Sequence, residues 1–419
     1  MKFKNARKDL DLKSNDRLYI RHKSPFAPKH YKNIKPKGFK IFTFNSGFKR
    51  NNEDLLIIIF EKKVNVACKY SLTSMPSAPI IWDKKNNNGR CLALIVNSGN
   101  ANAYTGMQGI KNINKYVTLL SKNLNCSIKN ILVSSTGVIG EQLDAKKITK
   151  HINFLPISKE KNIIDAAKSI STTDTFPKTS IHSLKVDKKT IKIYGFAKGS
   201  GMISPNMGTM LAYIFIDCEI STNTLKKLLS ENLQDTFNAI TVDSDTSTSD
   251  TVMLFSNPIK KINIKKNYDK ICKVLKKVMS ELSFKIISDG EGLQKVTKVK
   301  VLNAKNKIQA NKIAFAIADS PLVKTAIAGE DANWGRVVAA IGKTQEKIKQ
   351  EKTSIKFGKN ILSVNGEIYK KINLSNINRY MKNKLIEIEV NLNLGKYSKI
   401  VYGNDLNNEY IRINADYRS

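Results

Sequence analysis

The 419-residue chain has no apolar run approaching the roughly 18 residues a membrane-spanning helix needs, so no membrane partner is expected. Cysteine is scarce and scattered. Cys68, Cys91, Cys126, Cys218 and Cys272 form no C-x-x-C pair and share no ligand-like spacing with the four histidines. That excludes a disulfide framework and a cysteine–histidine metal site, and points to free thiols in a reducing, cytoplasmic setting. The opening stretch, MKFKNARKDLDLKSNDRLYIRHKSPFAPKHYKN (1–33), lacks the apolar centre of a secretory signal and reads as a basic, polar extension. Acidic side chains are also in short supply, 35 against 71 basic ones, for a formal net charge of +36. Such an excess is either the footprint of a nucleic-acid binder or lysine enrichment of solvated faces. The lysines are dispersed, and no RRM, KH, zinc-finger or helix-turn-helix signature is present, which favours solvated faces and no nucleic-acid partner.

What is present is ordinary globular material, 41% hydrophobic and long enough for a large core. Strand-like runs recur: DLLIIIF, RCLALIVNSG, NILVSSTGVIG, TIKIYGFAKG, MLAYIFID, DTVMLFS, TKVKVLNA, KIAFAIADS and IEIEVNLN. Helix-length amphipathic segments lie between several of them, among them IKNINKYVTLLSKNLN, STNTLKKLLSENLQDTFNAIT and YDKICKVLKKVMSELSFKIIS. The alternation predicts an α/β (α+β) fold of layered helices and sheets.

The polar segments carry the candidate chemistry. In AKGSGMISPNMGTMLAYIFID (197–217), Gly208 directly precedes Thr209 at the start of an apolar run. A hydroxyl needs an adjacent base, and a threonine at a chain N-terminus has one in its own α-amine. An internal threonine gains that amine if its hydroxyl attacks the preceding carbonyl, which glycine leaves open. The same pair also reads as a turn into a strand. SSTGVIG (134–140) sets Thr136 and Gly137 where a hydroxyl and an N–H can meet one oxyanion, or where a strand ends. NSGNANAYTG (97–106) suits close approach of backbone or ligand. TVDSDTSTSD (241–250) gathers Asp243, Asp245 and Asp250 without EF-hand spacing, so hydrogen-bonded scaffolding is favoured over a cation site. Glu291 sits between two glycines, as a pocket carboxylate or in a plain turn. SPLVKTAIAGEDANWGR (320–336) holds Lys324, Asn333 and Arg336, in a site or in a helix and its cap.

Taken in order, NSGNANAYTG, SSTGVIG, TTDTFPK, AKGSGMISPNMGTML, TVDSDTSTSD, DGEG, SPLVKTAIAGEDANWGR and INADYRS resemble the ornithine acetyltransferases, the bifunctional glutamate N-acetyltransferases of arginine biosynthesis. The resemblance runs from about residue 34 to Ser419. It implies the layered fold of the ornithine acetyltransferase and aminopeptidase superfamily with a smaller second lobe. It also implies self-cleavage between Gly208 and Thr209, giving chains 34–208 (behind the 1–33 extension) and 209–419. Thr209 would be the nucleophile and Thr136 with Gly137 the oxyanion pair. Thr172, Lys198, Thr209, Glu291, Asn414 and Ser419 would contact substrate. The implied reaction is ping-pong transfer of an acetyl group from N-acetylornithine to glutamate, with acetyl-CoA open as a second donor. No metal and no bound cofactor is implied, and the cut chains would assemble as α2β2. The sequence departs from the family pattern at Gly208, where alanine is usual, at Ser244, where glycine is usual, and in EGLQK after the DG pair. A hydrolase of the same superfamily and a basic nucleic-acid binder are the alternatives.

Overall fold

The computed structural model describes residues 23–32, 34–204 and 210–415. Two sheets organise them. The larger comprises β1 (Phe39–Phe44), β2 (Leu55–Tyr70), β3 (Arg90–Asn100), β4 (Ile131–Val138), β5 (Lys178–Val186), β6 (Lys189–Lys198), β7 (Leu211–Ile216) and β8 (Thr251–Ser256). Its order is β4-β3-β2-β8-β7-β6-β5, with β1 on β2; the β3–β4 and β7–β8 pairs are parallel. The long β2 pairs with β1 through its first half, with β3 up to Asn65 across a register shift between Ile59 and Val64, and with β8 from Asn65 to Tyr70.

β7 shows why its sequence is apolar throughout. Leu211, Tyr213 and Phe215 enter an aromatic layer with Phe39, Phe60, Phe196 and Phe255, under the helix Ile163–Ile170. Ala212, Ile214 and Ile216 point the other way, into the layer beneath the helices Thr222–Leu233 and Ile264–Ile287. A strand buried on both faces reads as a continuous apolar run rather than an alternating one. The helix Ile264–Ile287 buries Ile271, Leu275, Val278, Leu282 and Ile286 on one face and leaves its many lysines in solvent.

The second sheet comprises β9 (Val296–Ala304), β10 (Ser354–Phe357), β11 (Asn360–Val364), β12 (Glu367–Ile368), β13 (Leu385–Asn391) and β14 (Tyr397–Asn404), in the order β12-β11-β10-β13-β9-β14. Its core is closed by the helices Lys307–Ala318, Pro321–Ala328, Trp334–Gly342 and Leu374–Met381.

Most of the expected runs are strands, but KIAFAIADS is not: it lies in and just beyond the helix Lys307–Ala318. Isoleucine and phenylalanine alternate with alanine there and mimic a strand. The buried set, however, includes Ala310, Ile313, Ala314, Ile317 and Ala318, which is helical spacing, and Asn306 caps the helix by accepting from the Gln309 N–H. Within the extension, residues 23–32 include a docked stretch. Ser24 donates its N–H to Thr175 Oγ1 and its hydroxyl to the Ser288 carbonyl, and Phe26 packs edge-on against Phe284.

Candidate functional site

The ends of the larger sheet and the loops leading into and out of the smaller one surround a cavity of about 110 Å³. Thr136, Gly137, Thr172, Lys198, Glu291 and Asn414 all line it, drawn from five separate stretches of sequence. Gly208, Thr209 and Ser419 lie outside the described residues. Met210, the next described residue, leads into β7, whose Leu211 pairs with cavity-lining Lys198 at the end of β6.

Thr136 and Gly137 close β4 against β3. Gly137 has φ of +131°, and a Cβ there would stand 2.3 Å from the Gly99 carbonyl carbon, so no other residue fits this backbone. NSGNANAYTG turns out to be that close backbone approach: a Cβ on Gly99 would stand 2.8 Å from the Phe48 carbonyl oxygen. The buried Lys198 ammonium donates to Thr136 Oγ1 at 3.2 Å. The Thr136 oxygen is then an acceptor, and its own proton is left to donate elsewhere. Burial lowers the Lys198 pKa, although Asp174 works to raise it.

Behind this surface lies a charge cluster that sequence reading missed. Lys178 Nζ lies 2.5 Å from Asp174 and 2.6 Å from Asp289, with its side chain 0% exposed. Asp174 also accepts from the N–H groups of Gly199 and Thr172. Burial opposes its charge, but Lys178, Lys198 and the Gly199 N–H outweigh that and hold its carboxyl well below the usual carboxylate range. Asp289 receives the Thr175 hydroxyl and N–H, yet burial keeps its pKa raised. Asp174 and Lys178 belong to TTDTFPK and Asp289 to DGEG. Their immediate neighbours are mostly Thr, Ser, Gly and Pro, and a pairing across 111 residues has no local signature.

The DGEG loop is tied to the glycine-rich segment. The Glu291 N–H donates to the Ser200 carbonyl and the Ser200 hydroxyl to the Asp289 carbonyl. A Cβ on Gly201 would meet the Glu291 carboxylate at 2.4 Å, so the glycine makes room for the acid. Asn414 Nδ2 donates to Glu291 Oε2 at 2.9 Å.

TVDSDTSTSD bonds to described residues on both sides in sequence of 205–209. Asp243 accepts from the N–H groups of Met202 (2.6 Å) and Ile203 (2.9 Å), and Asp250 from that of Met210 (2.8 Å). Burial pushes Asp243 up to about 6 and raises Asp250 well above the ordinary range. Ser244 has φ of +63°, the backbone that accounts for glycine in the family pattern. No group of three or more His, Cys, Asp or Glu among the described residues could hold a metal ion. Lys324, Asn333 and Arg336 do not line the cavity. Lys324 is buried and donates to the Val242 and Asn404 carbonyls and to Asn404 Oδ1. Asn333 caps the helix Trp334–Gly342, and Arg336 donates to the Leu322 carbonyl.

A model of the ArgJ family matches residues 40–419. The arginine biosynthesis bifunctional protein ArgJ of Bartonella henselae is 42% identical over 91% of this chain and 95% of its own. That of Brucella suis is 40% identical over 94% and 99%. The crystal structure of the arginine biosynthesis bifunctional protein from Bacillus halodurans is 34% identical, covers 49% of this chain and 99% of its own, and superposes with a TM-score of 0.46.

Proposed function

The chain belongs to the ArgJ family, and from that premise we propose that it transfers acetyl from N-acetylornithine to glutamate on a threonine nucleophile it makes itself. The observation that carries this reading is the meeting of Thr136, Gly137, Thr172, Lys198, Glu291 and Asn414 around one small cavity at the entrance to β7.

In the self-cutting step the Thr209 hydroxyl oxygen attacks the Gly208 carbonyl carbon. The C–N bond breaks, nitrogen keeps the electron pair and takes the hydroxyl proton, and an ester with a free α-amine results. Water then hydrolyses the ester to a Gly208 carboxylate and restores the hydroxyl. The break falls between β6 and β7, which are paired to each other, while β2 is paired to β8; these ladders support products that stay together, as an α2β2 assembly requires.

In transfer the Thr209 oxygen attacks the acetyl carbonyl and its α-amine takes the proton, which then passes to the departing ornithine nitrogen. The oxyanion rests on the Thr136 hydroxyl and the Gly137 N–H, donors worth about 10²–10³ each in rate. Lys198, donating to Thr136 Oγ1, turns that hydroxyl's proton toward the cavity and adds positive charge beside the oxyanion or a substrate carboxylate. Thr172, Glu291, Asn414 and Ser419 contribute further substrate contacts. Glutamate then takes the acetyl group from the threonine ester, releasing acetylglutamate. In this reading acetyl-CoA serves as a second acetyl donor and no bound cofactor takes part. The setting is cytoplasmic.

The test is a product assay with N-acetylornithine, with and without glutamate. The proposal expects ornithine and acetylglutamate in equal amounts, and none from Thr209→Ala. Acetate released faster than acetylglutamate forms would replace transfer by hydrolysis.

A further inference from the structure

Two of the proposed substrate contacts stand on loops. Thr172 precedes β5, and Glu291 lies between the helix Ile264–Ile287 and β9. Loops are more mobile than the elements they join, so bonds that cross between these two set the spacing of the contacts. Thr175 supplies one crossing, its hydroxyl and its N–H both donating to the Asp289 carboxylate. Lys178 supplies a second, between Asp174 and Asp289. A third comes from far upstream. Ser24 donates its N–H to Thr175 Oγ1 at 3.0 Å and its hydroxyl to the Ser288 carbonyl at 2.5 Å. Thr175 stands three residues after Thr172, and Ser288 three before Glu291.

We propose that Ser24 is a positioning residue for substrate binding, a brace that fixes the spacing of Thr172 and Glu291. The inference rests on the acetyl-transfer reading above, and it brings in a residue of the 1–33 extension, ahead of every family motif. A threonine hydroxyl has one proton, so a Thr175 oxygen that accepts from Ser24 keeps that proton for Asp289. Ser288 is the C-cap of the helix Ile264–Ile287, where carbonyls find no partner further along the helix, and the Ser24 hydroxyl meets that need. Ser24, Thr175 and Asp289 also line a second cavity, of about 270 Å³, which shares Thr173 and Glu291 with the first. The brace therefore adjoins the site. Ser24 is itself held in place. Its oxygen accepts from the Phe26 N–H at 3.1 Å, Phe26 packs edge-on against Phe284, and the Pro25 carbonyl accepts from Lys384 Nζ at 3.3 Å.

The experiment measures acetyl transfer from N-acetylornithine to saturating glutamate for the full-length wild type, Ser24→Ala and Ser24→Thr, with urea unfolding of each. Ser24→Ala removes the bond to Ser288 and raises KM for N-acetylornithine by about 2–10-fold at unchanged kcat, the worth of one hydrogen bond used in binding. Ser24→Thr keeps the hydroxyl and restores the wild-type KM. A Ser24→Ala enzyme with the wild-type KM overturns the brace, as does a Ser24→Thr enzyme no better than the alanine variant. A lower kcat at unchanged KM, with weaker unfolding, marks a merely structural role and overturns it too. Hydrogen exchange reads the brace without substrate: Ser24→Ala speeds exchange in peptides covering 172–175 and 288–291 and leaves β13 at the wild-type rate. Unchanged exchange in both loops overturns the brace. A wild type that transfers no acetyl defeats the acetyl-transfer reading, and hydrogen exchange then decides the brace on its own.

Discussion

Charges are arranged in opposite ways in the two halves of the molecule. Beside the cavity, Lys178 lies between Asp174 and Asp289 with all three side chains 0–1% exposed. Across the smaller sheet, Lys298 and Lys300 on β9 face Glu387 and Glu389 on β13, at side-chain exposures of 17–29%. The ladder follows from parallel register, which sets Lys298 opposite Glu387 and Lys300 opposite Glu389. It costs little desolvation and stabilises little. The buried cluster is a different device. Three groups taken out of water are weak evidence for stability, and an apolar set of the same volume would hold the fold as well. What apolar residues could not do is hold the Gly199 N–H, the Thr175 hydroxyl and the neighbouring Lys198 in one arrangement. The smaller sheet reaches the site only through its approaches. Glu291 precedes β9 and Asn414 follows β14, and these strands pair with Val296 opposite Asn404, which brings entry and exit together.

The comparison breaks most visibly at Lys178. Lys178→Met leaves Asp174 and Asp289 buried without their shared cation and lowers unfolding free energy by about 3–5 kcal/mol, read by urea denaturation. A loss under about 1 kcal/mol would make the cluster no different from the ladder. At Gly137 the effect falls on rate. A Cβ 2.3 Å from the Gly99 carbonyl carbon must push the β4 end away, and acetyl transfer by Gly137→Ala drops about 10²–10³-fold, the worth of one oxyanion donor. Unchanged kcat would remove Gly137 from that role.

A smaller effect is expected from pH. Asp243 is raised to about 6 from 3.8, so the folded state holds this proton more tightly than the unfolded chain does. Its contribution favours folding below about pH 4 and declines as pH rises through about 6. The stability of Asp243→Asn relative to the wild type should therefore rise across that window, and a flat difference would contradict the assignment. The smallest change belongs to the ladder, where Lys300→Met shifts unfolding free energy by about 0.2–1 kcal/mol and its effect fades further in salt.

The same contrast explains what was legible in the sequence. β7 announced itself because both its faces are buried, and the residues lining the cavity stand in short motifs whose order marks the family. Ser244 marked a departure that the backbone explains, a left-handed residue where glycine is usual. KIAFAIADS misled because alanine is apolar enough to serve either period. Lys178 and Asp289 stayed hidden because the pair is made across 111 residues, and the Asp250 bond to the Met210 N–H because a carboxylate bonded to a main-chain amide leaves no pattern in side chains.

The most direct test of the central claim is mass spectrometry of the protein after incubation with N-acetylornithine and no glutamate. The account predicts two chains, the second beginning at Thr209 and carrying one acetyl group on that residue, lost when glutamate is added. A single uncut chain, or a cut chain that never carries acetyl on Thr209, would contradict it.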